Sequence, residues 1–394
     1  MGTDRIASKR YYRPELDVVR FIAFLLVFLH HTLPNSRSLQ PVHLPSFVLQ
    51  AADAVVMACG FGLSLFFVLS AFLICELLLR EREATGSVSV KQFYVRRILR
   101  IWPLYYFALI LGVVMDLLPG GRPAEILGIG WFAVFLGAWQ VALTLSYPVL
   151  NPVTTVLWTV SVEEQFYLIA PWLTKYLSRR NLIVFCLILI AIANCWLFYF
   201  GAASVTDLRI WHDTFVQSEC FAAGILLCLV LRGRLPNFAI WQRTLTLIGA
   251  GACWILASPV RFLWGPNPGG WHLMGGYALA ALGAVLTLIG FLGVSPKFLP
   301  AFVINLGRIS YGLYVYHIFV IYAVHNLLIG RHIAAGIPSH VARNLVADCI
   351  DYSLSVFGTF LLAALSYRYL EMPFLRMKKR HTVIEAQPIG FGRA

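Results

Sequence analysis

Eleven stretches of this chain run for about 18 residues or more with few charges. They lie near 16–34, 55–79, 99–118, 127–147, 154–176, 182–200, 214–231, 238–257, 273–294, 305–328 and 344–367. A run of that length crosses a hydrocarbon core about 30 Å thick when it is helical, and a helix satisfies its own backbone hydrogen bonds in lipid. The chain therefore reads as an all-α polytopic membrane protein. Only 12% of its residues are charged and 59% are hydrophobic, whereas a soluble globule carries roughly a quarter charged.

The distribution of Lys and Arg predicts how the runs are threaded. Of 31 basic residues, 24 fall in six places: before the first run, in 80–100, 175–180 and 232–243, at Lys297 and Arg308, and after 367. The other inter-run segments hold only Arg37, Arg122, Arg209, Arg261, Arg331 and Arg343. Positive charge stays on the cytoplasmic side, so both termini are expected there, with an even number of crossings. One run must then fail to cross. The weakest is GIGWFAVFLGAWQVALTLSY (128–147), with Gln140, two Trp and no basic flank. It is expected to be re-entrant or to lie along the outer face, leaving about ten transmembrane helices.

The basic segment RIASKRYYR has no small-residue cleavage site after it, so the first run reads as a retained span. The net charge of +13 has a membrane explanation, and no nucleic-acid partner is expected. Eight cysteines, mostly inside apolar runs and without CxxC spacing, read as small buried hydrophobes. No metal site and no bound cofactor are expected.

Ionisable groups inside the spans are costly and point to function. RFIAFLLVFLHH (20–31) places Arg20 and His31 eleven residues apart. That is three helical turns plus about 20°, so they share a face, about 16 Å apart along the axis. His30 points about 100° away. Arg20 could equally snorkel to headgroups, and His31 could be an interfacial histidine. QFYVRRILRIWPLYY (92–106) opens a helix with Arg96, Arg97 and Arg100. Arg97 and Arg100, three apart, are neighbours on one face and suit a phosphate, or serve as positive-inside anchors. WTVSVEEQFYLIAP (158–171) sets Glu163 and Glu164 inside a span, near Trp158 and Ser161, for chemistry or for pairing with an arginine. GRISYGLYVYHIFV (307–320) puts His317 in mid-span beside Ser310 and Tyr314, as a catalytic or a hydrogen-bonded structural histidine. No GxSxG elbow, P-loop, HExxH or Rossmann glycine run competes with these groups.

Six stretches, in order, are similar to the membrane-bound acyltransferase-3 family, polytopic enzymes that O-acylate sugars and other extracytoplasmic acceptors. They are RPELDVVRFIAFLLVFLHH, LSLFFVLSAFLI, FYVRRILRIWPLYY, WTVSVEEQFYLIAP, RISYGLYVYHIFV and YRYLEMPF. The resemblance implies a cytoplasmic tail at 1–15, an acyltransferase-3-like membrane domain at 16–370 and a basic cytoplasmic tail at 371–394. It implies that Arg20 and His31 are required for activity, and that Arg97 and Arg100, with Arg96 beside them, meet an acyl-CoA co-substrate. Two departures are Ser64, where the family commonly has an acid, and Ala71 in place of a glycine; Asp53 is the nearest upstream acid. No fused extracytoplasmic esterase-like domain is expected.

The resulting expectation is an O-acyltransferase of the bacterial cytoplasmic membrane, passing an acyl group, first of all acetyl, to an extracytoplasmic glycan or lipid-linked saccharide. His31 would be the general base, Glu163 or Glu164 would orient it or hold the arginines, and a covalent acyl-histidine is an open route. Trp158, Ser161, Tyr314 and His317 would line the acceptor side or support the base. The rival class is a transporter of a lipid-linked or anionic solute, against which stands the lack of repeated halves.

Overall fold

The computed structural model describes residues 11–39, 44–117, 128–144, 156–205, 207–258, 269–327, 329–337, 339–382 and 384. Outside them lie most of the N-terminal tail, the end of the 128–147 run, Arg122, Arg261 and nearly all of the chain after 382. Among the described residues there is helix and loop, and no strand.

Helix α1 (Pro14–Thr32) begins with a proline in its first turn, where the missing N–H costs nothing. Glu15 and Asp17 face the positive end of its dipole, and His30 and His31 occupy its last turn. α2 (Ser46–Gly60) and α3 (Gly62–Thr85) form one apolar segment of 40 residues interrupted at Phe61. The interruption falls inside the 55–79 run, next to a close helix crossing. A Cβ on Gly62 would sit 2.5 Å from the Ala23 carbonyl of α1, so only glycine lets the two helices cross there.

α4 (Val90–Leu117) carries the three arginines and Pro103. The 128–147 stretch forms α5 (Ile129–Ala133) and α6 (Gly137–Thr144), of 5 and 8 residues, with Phe135 at φ 59° between them. Neither helix is long enough to span a bilayer, which takes about 20 residues. The Tyr105 and Tyr106 hydroxyls of α4 donate to the Phe132 and Ala133 carbonyls at 2.7 and 3.0 Å and hold the break in place.

There follow α7 (Leu157–Tyr176), α8 (Arg179–Ala202), the short α9 (Asp207–His212), α10 (Thr214–Leu231), α11 (Ile240–Ala257) and α12 (Gly270–Phe291). The 305–328 run is also split, into α13 (Ala301–Arg308) and α14 (Ser310–Asn326). A Cβ on Gly307 would lie 1.9 Å from the Asp17 carbonyl, so α13 presses directly on the start of α1. α15 (His340–Ser366) passes through a π-turn at Tyr367–Glu371 into α16 (Met372–Lys378), which packs on α4.

Six helical segments are long and apolar enough to cross a membrane: Ser46–Thr85, Val90–Leu117, Arg179–Ala202, Thr214–Leu231, Gly270–Phe291 and Val346–His381. α1 and α7, at 19 and 20 residues, are long enough as well, but carry Glu15, Asp17 and Arg20, and Glu163 and Glu164. α3 lies at the centre, packed by α1, α7, α10 and α12. α8 and α15 lie at the rim and expose apolar side chains such as Leu187 and Phe357, the surface a bilayer would cover.

Candidate functional site

Two cavities lie along α1, one toward each end, and every ionisable residue of the RFIAFLLVFLHH stretch (20–31) borders one of them. The cavity near the start of α1 has about 1040 Å³ of free space. Arg20, Arg97, Arg100 and Lys378 line it, with Glu163, Tyr167, Ser70 and Tyr311. The cavity near the end of α1 has about 840 Å³ and is lined by His30, His31, Met57, Trp158 and Trp211 among others. Leu63, Thr159 and Tyr314 border both.

In the first cavity, Asp17 orients Arg20. Arg20 Nη1 donates to Asp17 Oδ1 one turn earlier. Asp17, almost fully buried, also accepts from the Tyr12 hydroxyl at 3.1 Å, and Tyr12 accepts from Arg308 Nη2 at 3.0 Å. Burying a carboxylate demands such partners, and Gly307 is what lets Arg308 come this close. Asp17 escaped the sequence reading, although its spacing of three from Arg20 carries the signal.

Arg97 packs its guanidinium over the Phe93 and Tyr167 rings, each 5.5 Å away. Its buried Nε has no hydrogen-bond partner. Arg100 lines the same cavity, as the shared helix face implies. Arg96, expected beside them at the donor, does not line it. It lies one turn nearer the start of α4, where Nη2 donates to Glu81 Oε2 at 2.7 Å and Nη1 to the His381 carbonyl at 2.9 Å. Buried and neutralised, Arg96 ties α3, α4 and the chain after α16 together.

The two glutamates separate in the same way, being 100° apart on α7. Glu163 faces the cavity and accepts from the Tyr167 hydroxyl at 3.1 Å; Tyr167 is in turn 2.5 Å from Ser70 Oγ. Glu164 turns to the other side and accepts from Trp102 Nε1 at 3.3 Å, its Oε1 buried without a partner. Ser161 borders neither cavity; it is fully buried, donating to the Leu157 carbonyl at 3.2 Å and meeting the Tyr105 hydroxyl at 3.5 Å.

In the second cavity, His31 is accessible, and its ring lies against His30 and His317, with centroids 4.9 and 5.4 Å away. His317 is fully buried behind it. Its Nδ1–H donates to the Tyr314 carbonyl at 2.5 Å, which leaves Nε2 as the lone-pair nitrogen, and Nε2 has no partner. His30 Nδ1–H donates to the Val56 carbonyl of α2 at 2.8 Å. Although His30 points about 100° away from His31 on α1, both border the cavity, because α2 brings a wall to the His30 side. The Trp158 ring lies against that of His212, tilted by 50° with centroids 4.2 Å apart, and with Trp211 gives the cavity an aromatic wall. Asp53 accepts from the Ser36 amide at 2.8 Å and borders neither cavity; Ser64 is buried.

The arrangement joins an anion-attracting cavity to a histidine-lined cavity through a hydrogen-bonded wall, Thr159 to Tyr314. Chemically it can hold a phosphate-bearing molecule at one end and deprotonate a hydroxyl at the other. The sequence reading missed Asp17, Thr159, Tyr167 and Lys378, the last two recognisable only once α4, α7 and α16 are brought together.

A family model described as an acyltransferase domain matches residues 13–368. O-acetyltransferase OatA of Staphylococcus aureus strain NCTC 8325 is 25% identical over 398 residues, covering 94% of this chain and 58% of its own length. OatA of strain COL matches with the same values. A further S. aureus protein, of strain MSSA476, is 24% identical over 388 residues, covering 93% of this chain and 58% of its own length. The chain thus spans less than two thirds of these relatives. No solved structure matches it.

Proposed function

The chain belongs to the acyltransferase-3 family, and from that premise we propose that its helical bundle is a membrane O-acyltransferase. It moves an acetyl group from acyl-CoA to a hydroxyl of an extracytoplasmic glycan or lipid-linked saccharide. The acetyl group is supported by the O-acetyltransferase relatives. The observation that carries the reading is the pair of cavities meeting at Thr159 and Tyr314, one lined by cations and the other by histidines.

In this reading the phosphates of acyl-CoA bind Arg97 and Arg100, with Arg20 held by Asp17 at the same cavity. The pantetheine arm brings its thioester to the wall between the cavities. The acceptor enters from the His31 side, against Trp158. His31 takes the acceptor's hydroxyl proton as the oxygen attacks the thioester carbonyl; the C–O bond forms, the C–S bond breaks, and coenzyme A leaves as a thiolate that takes up a proton. His317, behind His31, offers a lone pair that orients or relays the proton of the imidazole. Glu163 balances the charge of the arginines once the donor has left.

The membrane arrangement that suits this chemistry is about ten crossings in a bacterial cytoplasmic membrane, with both termini, the 1–15 tail and the region after 370 cytoplasmic. The cationic cavity then faces the pool of acyl-CoA and the histidines face outward.

The test is thiol release from acetyl-CoA by the purified protein in lipid nanodiscs, with and without a saccharide acceptor, for the natural protein and for His31→Ala. Acceptor-dependent release that His31→Ala loses supports the proposal. Acetyl-CoA left intact while the protein moves a lipid-linked solute across vesicles would give the bundle to transport instead.

A further inference from the structure

The cationic cavity draws its charge from three separate parts of the chain: Arg20 from α1, Arg97 and Arg100 from α4, and Lys378 from α16. Against them it has one lining carboxylate, Glu163, and the Arg20 guanidinium is engaged by Asp17. Arg97 and Lys378 make no ion pair among the described residues, and Arg97 Nε is buried without any hydrogen-bond partner. Like charges converging on a partly dry cavity repel each other, and a cation without a partner is costly to bury. A multivalent anion removes both penalties at once.

Lys378 is not there by chance of a loose tail. The π-turn at Tyr367–Glu371 inserts a wider turn between α15 and α16, which re-phases the side chains that follow. Leu375 is buried beneath α16. Beyond α16, Arg96 donates to the His381 carbonyl at 2.9 Å, and His381 Nδ1–H donates to Gln92 Oε1 at 2.7 Å. The short helix is therefore pinned to α4 past its end, and Lys378 projects into the cavity between fixed points.

We propose that Lys378 is a ligand for the donor's phosphate groups and that α16 is a fixed strap completing the donor site from the C-terminal side. This rests on reading the cavity as the acyl-CoA site. An ammonium is a point charge that meets a phosphate from any direction, where the guanidinium of Arg97 binds as a planar fork. The two kinds of cation together suit a pyrophosphate or a phosphomonoester rather than a carboxylate. An anionic lipid headgroup offers the same phosphate chemistry, and the experiment separates the two sources.

Affinity for acetyl-CoA and for S-acetylpantetheine, which lacks phosphates, is measured by calorimetry in nanodiscs of zwitterionic lipid. The proteins compared are the natural one, Lys378→Gln, Lys378→Arg, Arg97→Gln and Arg376→Gln. Arg376 lies on the same helix, is exposed, and serves as the control. Lys378→Gln is expected to weaken acetyl-CoA about 10- to 100-fold, the range of a lost charge-assisted contact, and to leave acetylpantetheine unchanged. Lys378→Arg should keep most of the affinity and Arg376→Gln all of it. Independently of any variant, acetyl-CoA should shield Lys378, and not Lys379, from an amine-labelling reagent read by mass spectrometry. If Arg97→Gln weakens binding while Lys378→Gln binds like the natural protein and labelling is unshielded, Lys378 is no ligand and the donor site stands without it. If the natural protein binds no acetyl-CoA, the donor reading itself has failed. Stabilisation by phosphatidylglycerol that Lys378→Gln abolishes, with acetyl-CoA affinity equal in both, would overturn the proposal in favour of a headgroup.

Discussion

Thr159 Oγ1 and Tyr314 OH lie 2.8 Å apart, and each side chain borders the cationic cavity on one side and the histidine cavity on the other. The bond joins α7 to α14 across a wall one side chain thick. Thr159 is buried and also reaches the Val156 carbonyl at 2.9 Å, while the Tyr314 ring packs on Phe66 with centroids 5.6 Å apart. Leu63 is the third side chain that borders both cavities.

Weakening the wall should therefore uncouple the two sides. Tyr314→Ala should raise acceptor-independent release of thiol from acetyl-CoA and admit longer acyl chains, because water and bulk gain a passage. Tyr314→Phe keeps the ring and loses only the hydrogen bond, worth about 1 kcal/mol, so its effect should stay within a few-fold. The measurement is thiol release from acetyl-, butyryl- and hexanoyl-CoA without acceptor. Equal selectivity in Tyr314→Ala and the natural protein would show that the acyl group does not pass here.

His30 and His31 share a cavity, and the proposed mechanism gives them different roles. His31→Ala should lower acceptor-dependent transfer by about 10²–10⁴-fold, the contribution of a positioned base, with normal membrane insertion. His30→Ala removes a hydrogen bond to the Val56 carbonyl, so it should cost about 1 kcal/mol of stability and much less activity. Paired thermal melts and initial rates distinguish them. A dead His30→Ala enzyme beside an active His31→Ala enzyme would move the base to the α2 side.

The three arginines of α4 should fall into two classes. Arg97→Ala and Arg100→Ala should weaken acyl-CoA binding, each by roughly 1.5–3 kcal/mol, and remain folded. Arg96→Ala strands buried Glu81, and breaking a buried ion pair costs about 3–5 kcal/mol, so it should chiefly lower the melting temperature. Replacing Arg96 and Glu81 together by methionine should recover much of that loss, which binding isotherms and melts of the four variants would reveal.

Asp17 should matter through Arg20. Asp17→Asn keeps the shape but removes the charge that holds the guanidinium. Its activity should fall nearly as far as that of Arg20→Ala, and the double variant should be no worse than the poorer single one, since the two act as a unit. Simple multiplication of the two losses in the double variant would mean that Asp17 serves the fold through Tyr12 and Arg308 instead.

Much of this was legible along the chain because helix periodicity is local. Eleven residues from Arg20 to His31 put them on one face, and the structure lines that face with two cavities. Three residues from Arg97 to Arg100 put both into one of them, and one residue separates Glu163, which faces it, from Glu164, which does not. The failure of 128–147 to form a spanning helix also followed from its composition. What no periodicity carries is which helix lies beside which. Arg96 lies about 100° from Arg97 on α4, but it is neutralised because Glu81 at the far end of α3 and the His381 carbonyl are there to take it. Thr159 and Tyr314 meet across 155 residues because the tertiary fold brings α7 and α14 to one point, and His317 stands behind His31 because α14 packs on α1. Lys378 reads in the sequence as one more charge in a basic tail; the π-turn after α15 and the anchoring of His381 bring it into the cavity. Phase along one helix is set by backbone hydrogen bonds between near neighbours, whereas these juxtapositions depend on lateral packing, set by surfaces such as Gly62 against Ala23 and Gly307 against Asp17 that acquire meaning only when the helices touch.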